Sequence, residues 1–385
     1  MNITFLLRSL GMGGVNVVSS VLANQFLKDG HNVSCFAFFE GTGEVKERFD
    51  NRIPIVVGNG FVRNKGNVSL LRNLLIQNKT EVVINQWGLQ LTPIKTLLRA
   101  KQGLQIKIVS IYHNDPQRNG IIQSVENQIT SATNIIKQTF CKTKRCVVKC
   151  VSAYCMRYVY NKSDFFGVLS PSYIANFIAF TRINKPRKVT VLPNPITVDG
   201  NGFIYNNSLK HTEIIYVGRL DQTQKCVQRI ITAWSKLEKQ FSEWKLTIVG
   251  DGPDRKELKQ MTEDLQLQRV SFEGVQNPRP YYERASILLL TSDFEGFPLV
   301  LAEAMQFGVI PLVYGSFAAV NDILKNCING FITSQPYNID DTVIHLSSLM
   351  EDNNKRQEMA IEAIKKSKDF SIEKISEMWY ELISR

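Results

Sequence analysis

The chain has 385 residues, 44% of them hydrophobic and 21% charged, which is the composition of a globular protein too long for one ordinary core, so two domains are expected. No stretch approaches the roughly 20 consecutive apolar residues of a membrane-spanning helix, and an integral helical membrane protein is not expected. The net charge of +11 is uneven, with 25 Lys and Arg against 9 Asp and Glu in residues 1–195 and 21 against 26 in the rest, so the N-terminal half favours an anionic partner such as membrane lipid, a lipid diphosphate or nucleic acid.

The opening residues lack a basic leader and a small-residue cleavage site and run into glycines. Residues 2–7 therefore read as a first strand and not as a signal segment. Gly11-Met12-Gly13-Gly14 makes a turn, and Val15 to Leu27 has helical periodicity. Gly30 and His31 end that helix before a strand from Val33 to Phe39, which completes a βαβ opening. Helical patterns over 68–76 and 93–100 alternate with strands over 82–84 and 106–111, the last ending in Tyr112-His113-Asn114-Asp115-Pro116. Residues 120–160 read as helical or irregular and carry a basic cluster that includes Lys137, Lys144 and Arg145. Cys141, Cys146, Cys150 and Cys155 fall there too. Helical spacing spreads them around the axis, so they read as reduced structural thiols and not as a zinc site. Strands over 165–169 and 189–192 complete the first half, and Pro193-Asn194-Pro195 leads into a polar linker over 195–212.

A second alternation begins at Glu213. Strands over 214–217, 246–249, 270–272, 286–290 and 309–313 are separated by helical patterns over 226–239, 255–265, 281–284 and 298–305. Helices over 342–368, with a break possible in the pattern, and 372–383 close the chain. Each half alternates strand and helix, which implies two doubly wound parallel sheets. Ligands of such sheets bind beyond the carboxyl ends of the strands. Gly11 to Gly14, His113, Arg219, Gly250 to Gly252 and Glu295 all follow strand ends and are expected to share one cleft.

The stretch Asp293 to Met305 organises this reading. An apolar strand runs into Gly296-Phe297-Pro298, and a helical pattern follows, with Pro298 suited to the first helical turn. A helix N-terminus suits a phosphate. Glu295 lies just before it and Glu303 eight residues later, and carboxylates are good acceptors for sugar hydroxyls. A phosphate-binding helix tip between two such acids suggests a sugar nucleotide. Arg219 and Lys225, after another strand end, can neutralise its diphosphate.

The second half resembles the retaining glycosyltransferases of family 4. It does so through VGRL (217–220) with Lys225 close behind, VGDGP (249–253), FEG (272–274) and EGFPLVLAEAM (295–305). The first half matches more loosely, through GMGG (11–14), His113 and LPNPI (192–196). The resemblance implies the GT-B architecture, two Rossmann-like domains facing across a cleft. Residues 1–194 would bind the acceptor and 213–370 the donor, with the helix over 371–385 packing back on the first domain. It gives His113, Arg219, Lys225 and Glu295 to catalysis, with Arg219 and Lys225 on the leaving diphosphate and Glu295 and His113 on the donor sugar. It gives Glu303 to the ribose, Gly13 and Gly14 to the donor diphosphate, and Gly218, Gly250, Phe297, Pro298 and Leu299 to the remaining donor contacts. Asn16 departs from the residues often seen at its place, which unsettles any acceptor contact there.

The implied reaction moves a hexose or N-acetylhexosamine, with retention, from a nucleotide diphosphate sugar to a hydroxyl of a saccharide or polyprenyl-diphosphate-linked acceptor in glycan synthesis. A UDP-sugar is the expected donor and no metal or other cofactor is required. The expected location is cytoplasmic, at the inner face of the membrane, with anionic lipid and not nucleic acid as the partner. Two other readings stay open. One is a dehydrogenase, for which Glu40 ends the second strand at a ribose-binding distance but Asn16 replaces the third fingerprint glycine. The other is a nucleotide-sugar binder without catalysis.

Overall fold

The structure, a computed structural model, describes residues 1–118, 120–130 and 134–385. The chain divides into two compact units, Met1–Pro195 with Ile372–Arg385, and Ile196–Ser371.

The first unit runs β1 (Asn2–Ser9), α1 (Gly14–Lys28), β2 (Asn32–Phe39), β3 (Ile55–Val57), α2 (Lys65–Gln77), β4 (Val82–Asn85), α3 (Leu91–Ala100), β5 (Lys107–Tyr112), α4 (Gly120–Thr130), α5 (Ile135–Lys162), β6 (Phe165–Val168), α6 (Ser172–Thr181) and β7 (Val189–Val191). Its strands are all parallel, in the order β3-β2-β1-β4-β5-β6-β7. A central parallel strand is covered on both faces. Ile3, Phe5, Leu6 and Leu7 of β1 are accordingly all buried, with no alternation. Thr4 among them is satisfied by the hydroxyls of Ser34 at 2.9 Å and Thr80 at 2.7 Å.

The second unit runs β8 (Glu213–Val217), α7 (Val227–Ser235), β9 (Lys245–Val249), α8 (Arg255–Asp264), β10 (Val270–Gly274), α9 (Arg279–Arg284), β11 (Ile287–Leu290), α10 (Leu299–Gln306), β12 (Ile310–Tyr314), α11 (Val320–Ile323), β13 (Phe331–Thr333), α12 (Ile339–Glu351) and α13 (Asn353–Ser367). Its parallel sheet has the order β10-β9-β8-β11-β12-β13. The last helix, α14 (Ile372–Ser384), belongs to the first unit. Trp379 and Tyr380 set their rings 6.2 and 5.2 Å from that of Phe26 on α1. Lys107 Nζ donates to Ile383 O at 2.7 Å.

One expectation changes and two are sharpened. The stretch expected as a linker is built into the second unit from Ile196 onward. Ile196 N–H donates to Phe370 O at 2.8 Å, Gln306 Nε2 to Val198 O at 3.0 Å and Lys210 Nζ to Tyr282 O at 2.9 Å. Its polar groups are satisfied by the unit beneath, so polarity is a poor guide to looseness here. The helical pattern over 342–368 is two helices, and Asp352 at the break accepts from Lys355 N–H at 2.9 Å to cap α13. The basic region over 120–160 is the helix pair α4 and α5, with 131–133 outside the described residues.

Each sheet reverses its strand order once, between β1 and β4 in the first unit and between β8 and β11 in the second. Beyond the carboxyl ends of such a pair the flanking loops diverge and leave a crevice. The loops that leave β1, β4, β8 and β11 are therefore where ligands are expected.

Candidate active site

In the second unit the loops after β8 and β11 are tied into one body. Asp293 N–H donates to Gln224 O at 2.8 Å, and Gln224 Nε2 donates to Phe294 O at 3.2 Å. Arg229 of α7 braces them, with Nη1 2.6 Å from Asp293 Oδ1 and 3.0 Å from Thr291 O. Its guanidinium lies 4.5 Å from the centre of the Tyr337 ring. Lys225 and Glu295 meet within this body as a largely buried ion pair, Nζ to Oε1 2.5 Å. Arg219 is far more exposed, with Nη2 2.6 Å from Asp221 Oδ2 and 3.4 Å from Gln224 Oε1. Burial pushes the Asp221 carboxyl up, but hydrogen bonds from Thr223 and the Arg219 charge outweigh it and hold the group below its ordinary range.

Gly218 and Gly250 have a packing reason to be glycine. The Gly218 N–H donates to Val249 O at 3.0 Å, and a Cβ on Gly250 would lie 1.9 Å from Gly218 O. Gly250 also has φ +140°, so no other residue lets these two strand-end loops touch.

Pro298 is the N-cap of α10, one position earlier than expected, and Leu299 is the first helical residue. Pro298 itself offers no side-chain cap to this end. Phe297 buries its ring against Phe370 with centroids 5.3 Å apart, so only its main chain is left for a ligand. Glu303 stands on the second turn of α10 and is buried. Thr197 Oγ1 donates to its Oε1 at 2.5 Å and the Tyr282 hydroxyl to its Oε2 at 3.2 Å. The Tyr282 phenol is kept protonated well above its ordinary range, by burial first and by Glu303 second. Glu303 is thus a carboxylate held in place at both oxygens.

In the first unit Gly13 is the N-cap of α1, in extended backbone, and a Cβ there would meet nothing within 4 Å. Gly14 opens the helix. Asn16, whose role the sequence left unsettled, clamps this turn through Nδ2 to Gly11 O at 2.8 Å. His113 follows β5 and its Nε2 meets Gln86 Oε1 at 2.6 Å, while its Nδ1 is out of water's reach. Burial drives its pKa down to about 4, against a raising contribution from a hydrogen bond with Asn194. The ring is therefore neutral at physiological pH. Asp115, two residues on, is held by its neighbours. Asn176 Nδ2 takes both its oxygens at 3.0 Å and Gln117 N–H donates at 2.8 Å, so it locks its own loop.

His113 shares a pocket of about 250 Å³ with Val15, Gln86, Trp87, Gln90 and Tyr112. Gln86 Nε2, Trp87 Nε1 and Gln90 Oε1 are buried and find no hydrogen-bond partner among the described residues. Gly88 between them donates to Ile111 O at 2.8 Å, where a Cβ would come to 2.7 Å. The sequence signal for this group was available. Gln86-Trp87-Gly88 directly follows β4, as the other candidate residues follow their strands. For Arg229, Thr197 and Tyr282 no signal existed, because their partners lie 64, 106 and 21 residues away.

Residues 12–199 match the family described as Glycosyltransferase Family 4, and residues 202–366 match Glycosyl transferases group 1. The chain is 26% identical to the GalNAc-alpha-(1->4)-GalNAc-alpha-(1->3)-diNAcBac-PP-undecaprenol alpha-1,4-N-acetyl-D-galactosaminyltransferase of Campylobacter jejuni, across 100% of this chain and 98% of that one. It is 31% identical to the lipopolysaccharide 1,6-galactosyltransferase of Salmonella typhimurium, across 44% of this chain and 48% of that one. Among solved structures, Anabaena HepE in complex with UDP superposes over 100% of both chains with a TM-score of 0.73 at 18% identity. That likeness concerns the fold, two parallel-sheet α/β domains of the GT-B type.

Proposed function

The chain belongs to the family 4 glycosyltransferases of group 1, and from that premise we propose that it transfers one hexose or N-acetylhexosamine from a UDP-sugar to a hydroxyl of a diphosphate-lipid-linked saccharide, with retention of anomeric configuration. The observation that carries this is the largely buried Lys225–Glu295 pair at the β8/β11 switch point, 2.5 Å across, with Arg219 on the same tied loops and the start of α10 at Pro298 after Glu295. The Anabaena structure in complex with UDP supports the choice of base. The Campylobacter relative, whose name carries a PP-undecaprenol saccharide, supports the acceptor class.

The chemistry follows from charge. As the bond from the anomeric carbon to the diphosphate oxygen breaks, negative charge grows on the leaving group. Lys225, Arg219 and the positive end of α10 stabilise it. The acceptor oxygen bonds to the anomeric carbon on the face the diphosphate leaves, and its proton passes to the departing phosphate oxygen. Donor binding separates the resting pair, Lys225 turning to phosphate and Glu295 to sugar hydroxyls. Glu303, prealigned by Thr197 and Tyr282, takes the ribose. His113, neutral, acts as a hydrogen-bonding group toward the donor sugar and not as an acid. The amides of Gln86 and Gln90 and the indole of Trp87 suit a saccharide on the acceptor side. Charge neutralisation falls to Arg219 and Lys225, so transfer undiminished by EDTA is expected.

A diphosphate-lipid acceptor would bring the enzyme to the cytoplasmic face of a membrane. No helix among the described residues is long and apolar enough to cross one. The test is a thermal-shift panel of UDP-, GDP- and ADP-sugars followed by transfer kinetics. One UDP-sugar is expected to raise the melting temperature most. Arg219→Ala and Glu295→Gln are each expected to lower kcat/KM by about 100-fold or more. Full transfer activity in both variants would refute the catalytic assignment.

A further inference from the structure

We infer that the hollow at His113 holds one uncharged N-acetylhexosamine of the acceptor and reads it through its acetamido group. The inference deepens the acceptor-side reading given above and rests on it. It begins with the loop between β4 and α3, which is held firmly. Asn85 Nδ2 donates to Ser110 Oγ at 2.9 Å, and Asn85 Oδ1 accepts the Trp87 N–H at 3.2 Å. The Gly88 N–H donates to Ile111 O at 2.8 Å and the Gln90 N–H to Trp87 O at 3.3 Å. The main chain of this loop is thus pinned to β5 and to itself, while three of its side-chain atoms are left over. Gln86 is 2% exposed and its Nε2 has no partner among the described residues, nor have Trp87 Nε1 and Gln90 Oε1. Gln90 is the N-cap residue of α3, yet its side chain makes no capping bond. Ser, Thr, Asp and Asn are the usual residues there, so the helix does not account for this carboxamide. An unpaired buried polar atom is costly and uncommon. Three within five residues, all lining one hollow of about 250 Å³, mark a place where a ligand supplies the partners.

The lining tells which ligand. No Asp, Glu, Lys or Arg lines the hollow, although residues 1–195 carry 25 Lys and Arg. A uronic acid or a phosphorylated sugar would be buried there without a counter-charge, which is unfavourable. The unpaired atoms are two N–H donors and one carbonyl acceptor. Val15, Leu89 and Ile121 add an aliphatic wall. An acetamido group carries the matching set, a carbonyl that accepts, an N–H that donates and a methyl group to bury. Its carbonyl suits the Trp87 indole and the Gln86 amide, its N–H suits Gln90 Oε1, and its methyl suits the aliphatic side chains. The hydroxyl of a plain hexose at the same place satisfies polar atoms but leaves the aliphatic wall uncovered.

The test is saturation-transfer NMR on the full chain in the presence of UDP, with the methyl glycosides of N-acetylglucosamine, N-acetylgalactosamine, glucose, galactose and glucuronic acid as probes. The acetamido methyl groups are expected to give the strongest signals, the plain hexosides to bind about ten-fold more weakly and the glucuronide to give none. Trp87→Phe removes the indole N–H and keeps the ring, and Gln90→Leu removes the carbonyl and keeps a similar volume. Each is expected to weaken binding of the acetamido probes about ten-fold or more, at a melting temperature near that of wild type. In transfer, each is expected to erode the kcat/KM preference for acceptors ending in N-acetylhexosamine over those ending in hexose. Equal binding of hexosides and N-acetylhexosaminides by the wild type overturns the inference, as do variants that keep the full preference. So does a change of donor preference with acceptor preference unaltered, because the hollow would then serve the donor. Transfer without any preference for N-acetylhexosamine counts against this subsite and leaves the reaction standing. Absence of transfer in every form, with acetamido binding present and lost in Trp87→Phe, counts against the proposed reaction and supports the subsite.

Discussion

Lys225 illustrates how a single residue is held ready without being spent. Only 18% of its side chain is exposed, and Glu295 neutralises it at 2.5 Å, so the cation is stored where a diphosphate is expected to arrive. The acids of this site were legible because Glu295 and Glu303 sit in one segment, eight residues apart across a strand-to-helix junction. The groups that position them were not, since Thr197, Tyr282 and Arg229 reach their partners only through the fold. His113 yields a prediction at this scale. Burial lowers its pKa in the folded protein from 6.5 to about 4. Between those values the unfolded chain binds a proton that the folded chain refuses. The His113 contribution to stability is thus complete above pH 6.5 and is lost as the pH falls toward 4. An NMR titration of the imidazole should place its midpoint near 4, and a midpoint near 6.5 would show that the ring is solvated and not held by Gln86.

Among the elements, the long central strands and amphipathic helices were readable because burial on both faces leaves unbroken apolar runs. Three were not. The strands β3 and β13 are three-residue edge strands, too short to show a pattern. In α6, the sequence SYIANFIAFT is apolar around most of its circumference, which hides a helical period. The helix α14 yields the prediction for this scale. Trp379 is 2% exposed and packs edge-on against Phe26. Replacing a buried tryptophan with alanine removes its transfer energy and leaves a cavity. Trp379→Ala is expected to cost the first unit about 3 kcal/mol in denaturant unfolding. A loss below about 1 kcal/mol would mean that α14 does not seal the core.

For the molecule as a whole, two parallel sheets each reverse their strand order once, and every loop that carries a candidate residue leaves a strand at its carboxyl end. This much was present in the alternation of apolar runs and helical patterns along the chain. The second unit was the more legible because its site is written in contiguous motifs. The first was less so, because its pocket combines Val15, Gln86 to Gln90 and His113 from three separate strand ends. The units divide the proposed work accordingly, with Arg219, Lys225, Glu295 and Glu303 serving the donor and the pocket at His113 serving the sugars.

The most direct measurement incubates the protein with the UDP-sugar selected by thermal shift and a diphosphate-lipid-linked saccharide, and follows acceptor mass and anomeric proton signals together. The account predicts a mass increase of one hexose or N-acetylhexosamine, one UDP released per transfer, and the donor's anomeric configuration in the product. UDP-sugar bound without any change in acceptor mass, or a product of inverted configuration, would contradict it.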